Sequence, residues 1–78
     1  MIRMGNTETV KRGDLKPGDM VLMADDGEVL KLKIAEVPPV GRAFQVEVDR
    51  EKMWGNFIWF EDGSHVLAGS RETFERIL

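Results

Sequence analysis

KPGDMVLMADDGEVLKLKIAEVPP, Lys16 to Pro39, decides how this chain is read. Twice within it a turn signal runs straight into an apolar run. Pro17-Gly18 supports a type II turn with Gly18 at positive φ. Asp25-Asp26-Gly27 is hairpin chemistry, with Gly27 as the left-handed residue. Between them MVLM, Met20 to Met23, is too short for a helix and reads as a buried strand. In VLKLKIAEV, Leu30, Leu32 and Ile34 share one face while Lys31 and Lys33 share the other, the period-two signature of a strand. Pro38-Pro39 ends that strand, because proline has no N–H for a ladder.

The same punctuation continues outward. Thr7 to Val10 reads as a short edge strand, and Lys11 to Asp19 as a loop with Leu15 as its buried anchor. Arg42 to Arg50 alternates Phe44, Val46 and Val48 against Gln45, Glu47 and Asp49. Pairing of this strand with the preceding one would set Lys31 and Lys33 opposite its acids and fix the register. Glu51 to Gly55 reads as a connection, Asn56 to Phe60 as a strand, Glu61-Asp62-Gly63 as its turn, and Ser64 to Ala68 as the return. The tail has two readings. Ser70 to Glu72 forms one 3₁₀ turn before a closing strand from Thr73 to Leu78, or Ser70 caps a short helix with Phe74, Ile77 and Leu78 on one face.

Short strands about ten residues apart, divided by turn signals, indicate an all-β barrel or sandwich. The order of elements resembles the SH3-like small antiparallel β-barrel of five or six strands. More narrowly, DLKPGDMVL and the stretch from VEVDREKMWGNFIWFEDGS to the C-terminus resemble small uncharacterised proteins of actinobacteria and their phages. The resemblance implies a barrel with a last strand beside the first. It implies no catalytic residue, since SH3-like barrels bind proteins, peptides or nucleic acids. Proline-peptide binding in the SH3 manner needs clustered tyrosines, and this chain has none. Phage relatives would place the protein in a host cytoplasm, acting on a host or virion protein.

The 78 residues suit one domain, 7–78, behind a flexible N-terminus of residues 1–6. The expected core is Leu15, Val21, Leu30, Leu32, Ile34, Phe44, Val46, Val48, Ile58, Phe60 and Val66. The absence of cysteine excludes a disulfide scaffold, thiolate metal sites and a cysteine nucleophile, and fits a cytoplasmic location. No apolar run is long enough to span a membrane as a helix. A net charge of −3 counts against a protein that works by coating phosphates.

No enzyme is expected. His65 is the only histidine, and Ser64 beside it points to the opposite face of a strand. The acids near Asp25 and Glu61 lack the spacing of a calcium loop, and no cofactor or metal motif occurs. The informative stretch is Trp54 to Phe60, which holds four of the six aromatics. With Ile58 and Phe60 turned inward, Phe57 and Trp59 face outward and form an apolar patch, helped by Trp54. That pattern indicates a non-enzymatic protein-interaction module, for another protein or for self-association. The competing reading is nucleic-acid binding, with Lys31, Lys33, Arg42, Arg50 and Lys52 as a basic stripe beside stacking aromatics.

Overall fold

The computed structural model describes residues 6–78, so all but Asn6 of the expected flexible N-terminus lies outside the described residues. Seven strands follow one another: β1 (Thr7–Lys11), β2 (Met20–Asp25), β3 (Glu28–Glu36), β4 (Phe44–Val48), β5 (Glu51–Phe60), β6 (His65–Gly69) and β7 (Thr73–Ile77). A single 3₁₀ turn, Arg12–Asp14, separates β1 from the KPGD loop. The tail takes the strand reading, but only a simple turn precedes it, neither a 3₁₀ turn nor a helix.

All pairings are antiparallel, in the order β1-β7-β2-β3-β5-β4, with β6 on the other side of β5. The sheet is open. This overturns the SH3-like barrel, and with it the five- or six-stranded closed architecture. The last strand does pair with the first, as expected, yet closure does not follow. β7 lies between β1 and β2, so β1 itself becomes an edge. A strand has two edges, and both edges of β7 are used within one half of the sheet.

The turns behave as their residues require. Gly18, Gly27 and Gly63 have φ of 94°, 82° and 91°. Inside KPGD, the Asp19 amide donates to the Lys16 carbonyl at 3.0 Å, and the Asp19 carboxylate accepts from the Lys16 amide at 2.9 Å. The Asp19 carbonyl then accepts from the Ile34 amide at 2.8 Å, which locks the loop to β3. One hairpin escaped the sequence reading. Asp49 and Arg50, at φ 50° and 67°, make a two-residue turn without glycine, so Glu51–Gly55 is no connection but the first half of the longest strand. β3 pairs with β2 and β5, never with β4, so Lys31 and Lys33 do not meet the acids of β4.

β3 joins the two halves of the sheet. Its first part pairs with β2, and past an irregularity between Ile34 and Glu36 it pairs with the end of β5. The core collects from both halves: Val10, Leu15, Val21, Ile34, Ile58, Phe60, Ala68 and Phe74, with Leu32 and Val66 packed against it. Leu30 and Phe44 are exposed instead, and Val46 and Val48 are only half-buried, correcting the expected core. The cause for β4 is a face change. Phe44, Val46 and Val48 pair with Gly55, Met53 and Glu51, which share a face of β5 with Phe57 and Trp59, not with Ile58 and Phe60. Met53 is buried on that face outside the main cluster, because Gly69 leaves room for it, while Gly55 admits the close approach of Val46 and the Ala68 backbone. A Cβ on Gly55 would stand 2.6 Å from the Ala68 carbonyl oxygen, and one on Gly69 would collide with the Met53 sulfur.

Arg12 is the one buried charged residue among the described residues, 3% exposed. On one edge of β5, β4 pairs up to Gly55 and β3 resumes at Trp59, leaving Phe57 without a strand partner. The chain beside this gap is Pro38-Pro39, which has no N–H to give. Arg12 supplies the missing donors. Its guanidinium donates to the carbonyls of Phe57 at 3.1 Å, Pro38 at 2.7 Å and Asn56 at 2.8 Å, and reaches Ala68 at 3.3 Å. The Asn56 side chain completes the repair, accepting from the Phe57 amide at 2.7 Å and donating to the Pro39 carbonyl at 2.7 Å. Burial holds the Arg12 pKa below its ordinary value, partly offset by the charge of Glu72.

Candidate interaction face

The outward face of β4, β5 and β6 follows from the register. Phe44 pairs with Gly55, Phe57 with Leu67, and Trp59 with His65, so these side chains share one side of the sheet. Their rings form a connected group. Phe44 meets Phe57 edge-on at 5.2 Å between centroids, and Phe57 lies 6.1 Å from Trp59. His65 packs edge-on to Phe57 at 5.1 Å and tilts against Trp59 at 4.6 Å. Such edge and tilted arrangements suit the positive rim and negative face of aromatic rings. Phe44, Trp59 and Leu67 remain 38% exposed each. Glu36, opposite Trp59, and the Lys33–Glu61 ion pair at 4.0 Å give this face a polar border.

Phe57 and Trp59 therefore stand on the outward side, opposite the buried Ile58 and Phe60, as the inward assignment of those two residues requires. Trp54 does not join them. It pairs with Gln45 and lies on the opposite face of β5, 39% exposed, beside Lys52 and Asn56 in the alternation. Phe44, His65 and Leu67 complete the face and were missed by the sequence reading. Phe44 and Leu67 alternate as cleanly as core residues do, so only the register separates them from the interior. The aromatic packing of His65 depends on Trp59 across the strand pair, a partner that the sequence does not name.

The basic residues do not form one stripe. Lys31 and Lys33 share a face of β3, and Lys33 is engaged by Glu61. Lys52 stands opposite Glu47 on the other face of the β4–β5 hairpin, Arg50 is in the hairpin turn, and Arg42 is in the connection before β4. A cleft of about 240 Å³ lies between Arg12, Leu15, Pro38, Pro39 and Ser70. The terminal nitrogens of its guanidinium are already committed to main-chain carbonyls. Ser64 is also committed. Its hydroxyl donates to Asp62 at 2.5 Å and its amide to the same oxygen at 2.8 Å, and these bonds hold the Asp62 pKa below the usual carboxylate value. Among the described residues no helix is long and apolar enough to cross a membrane.

No protein-family model, curated protein or solved structure matches this chain. The likeness to actinobacterial and phage proteins thus gains no support from these comparisons, and the open sheet removes the fold it implied.

Proposed function

We propose that this chain is a non-enzymatic protein-interaction module of the cytoplasm that docks its partner on the outward face of β4, β5 and β6. The observation that carries the reading is the connected group of Phe44, Phe57, Trp59 and His65 with Leu67, left partly exposed on one side of a sheet. Aromatic side chains on rigid strands bury large areas with little loss of rotamer freedom, and tryptophan is a frequent anchor of binding energy. The polar border of Glu36, Lys33 and Glu61 matches the usual arrangement of an apolar centre within a polar rim.

Trp59→Ala is the test. Affinity capture from a nuclease-treated lysate, with thermal stability measured on the same variant, separates binding from folding. The expected outcome is loss of partner retention equivalent to about 2 kcal/mol or more, with a stability change below about 1 kcal/mol because the side chain is already partly in water. Retention unchanged in Trp59→Ala and Phe44→Ala would refute the site. Retention that disappears with nuclease would return the argument to nucleic acid.

A further inference from the structure

The free edge of β4 has a property separate from the aromatic face. β4 ends the strand path, and among the described residues its only strand partner is β5. The two-residue turn at Asp49-Arg50 makes Val48 and Glu51 the first hydrogen-bonded pair of the hairpin. Hydrogen-bonded pairs then recur at Val46–Met53 and Phe44–Gly55. The β5–β6 ladder agrees independently. The Phe60 amide donates toward β6, to Ser64, and the Glu61 amide donates the other way, to Lys33, so the odd-numbered residues of β5 face the β4 side. It follows that the amides and carbonyls of Gln45 and Glu47 point away from β5, along an exposed edge.

That edge is self-complementary. We propose that a second copy of this chain adds to it, β4 against β4 and antiparallel, with a two-fold axis at Val46. Gln45 of one copy then stands opposite Glu47 of the other, and the reverse. Both are the residues whose main-chain groups face outward, so the junction closes with four main-chain hydrogen bonds. On one face Phe44 meets Val48 and Val46 meets Val46, which joins the two aromatic faces into one apolar surface. On the other face each Gln45 amide can donate to a Glu47 carboxylate. The neighbouring registers are worse. An axis at Glu47 puts like charges directly opposite, and an axis at Gln45 sets Glu47 against Ala43 and leaves Val48 unmatched. Edge strands normally carry a lysine, a proline or a bulge that blocks such pairing. FQVEV has no lysine, proline or bulge, its register with β5 is continuous, and its one charge, Glu47, faces the uncharged Gln45 in this register.

The β4 junction and the docking face share Phe44, but Gln45 lies on the opposite face of β4 and Trp59 lies outside the junction, so variants at those two positions let either one fail alone. A strand junction of this size buries less than the roughly 1,200 Å² of a standard interface, so sedimentation must extend to about 1 mM protein. Gln45→Lys places opposite charges across both symmetric contacts, and Gln45→Glu places like charges there. The dissociation constant should fall by about threefold to thirtyfold in the first and rise by a similar factor in the second, while circular dichroism stays unchanged. Because the chain has no cysteine, Val46→Cys gives a second readout. Directly opposed residues of a non-hydrogen-bonded pair lie within disulfide reach, so oxidation should yield a covalent dimer, and Gln45→Cys should not. A wild-type monomer throughout the range, equal cross-linking of both cysteine variants, or a dimer that Trp59→Ala abolishes and the Gln45 variants ignore would each overturn the proposal.

Discussion

Arg12→Met should be among the most damaging single changes in this protein, although it replaces a charge by an apolar side chain in a buried place. The methionine keeps much of the packing of the arginine stem. It removes every guanidinium donor in the gap beside β5 and leaves only the Asn56 side-chain amide on the Pro39 carbonyl. Asn56 and Ala68 pair with one another in the β5–β6 ladder, so their carbonyls keep main-chain partners. The Phe57 and Pro38 carbonyls lose the donors described here. Leaving a buried acceptor unsatisfied costs about 1–3 kcal/mol, so two partly buried ones cost at most about 2–6 kcal/mol. Relief from holding a desolvated charge offsets part of this, and a net loss of about 2–4 kcal/mol is expected. A chain of this size has about 4–12 kcal/mol in all. Urea denaturation followed by tryptophan fluorescence measures it. With a slope of about 1 kcal/mol per molar, the midpoint should fall by about 2–4 M. Arg12→Lys should land between wild type and Arg12→Met, because one ammonium cannot span carbonyls that a guanidinium fork reaches together. A loss below about 0.5 kcal/mol in Arg12→Met would refute the argument that Arg12 stands in for the donors of Pro38 and Pro39.

Three further outcomes are expected. Gly55→Ala should destabilise by about 1–3 kcal/mol in the same assay, since the new Cβ would press on the Ala68 carbonyl oxygen at 2.6 Å, which is backbone and cannot swing aside. Ile34→Ala, at a fully buried position joining the two halves of the sheet, should cost about 2–5 kcal/mol, whereas Leu30→Ala should cost clearly less because Leu30 is exposed; equal losses would mean the inward face of β3 is misassigned. Ser64→Ala should raise the Asp62 pKa toward the ordinary carboxylate value in an NMR titration, because the hydroxyl bond is lost while the amide bond remains. The depressed pKa means that the favourable contact exists above the unfolded-state value and is lost as pH falls through the folded one, so the variant should show less acid dependence there.

Local chemistry was sufficient for much of this molecule. Glycine at Gly18, Gly27 and Gly63 supplies positive φ without steric cost, and the alternation around Leu32 and Ile58 marks strands whatever their neighbours are. The outward placement of Phe57 and Trp59 needed more than that alternation: it rested on assigning Ile58 and Phe60 to the core. Alternation says that two faces differ; it does not say which face meets the core. Phe44, Val46 and Val48 keep perfect period two and still lie on the aromatic side, because β4 pairs with β5 in a register set by the turn at Asp49-Arg50, where no glycine announces it. Trp54 parts from Trp59 for a related reason, since residues an odd number apart on a continuous strand face opposite ways. The open sheet was beyond local reading as well. Whether the last strand closes a barrel depends on which edge of it is already taken, and β7 gives one edge to β1 and the other to β2. Arg12 belongs with these: in sequence it is one arginine among several, and only the meeting of β5 with two prolines gives it a buried gap to fill. Backbone preference and side-chain periodicity act within a few residues and are written along the chain, whereas edge occupancy and face assignment arise between segments far apart in it, and only the folded arrangement decides them.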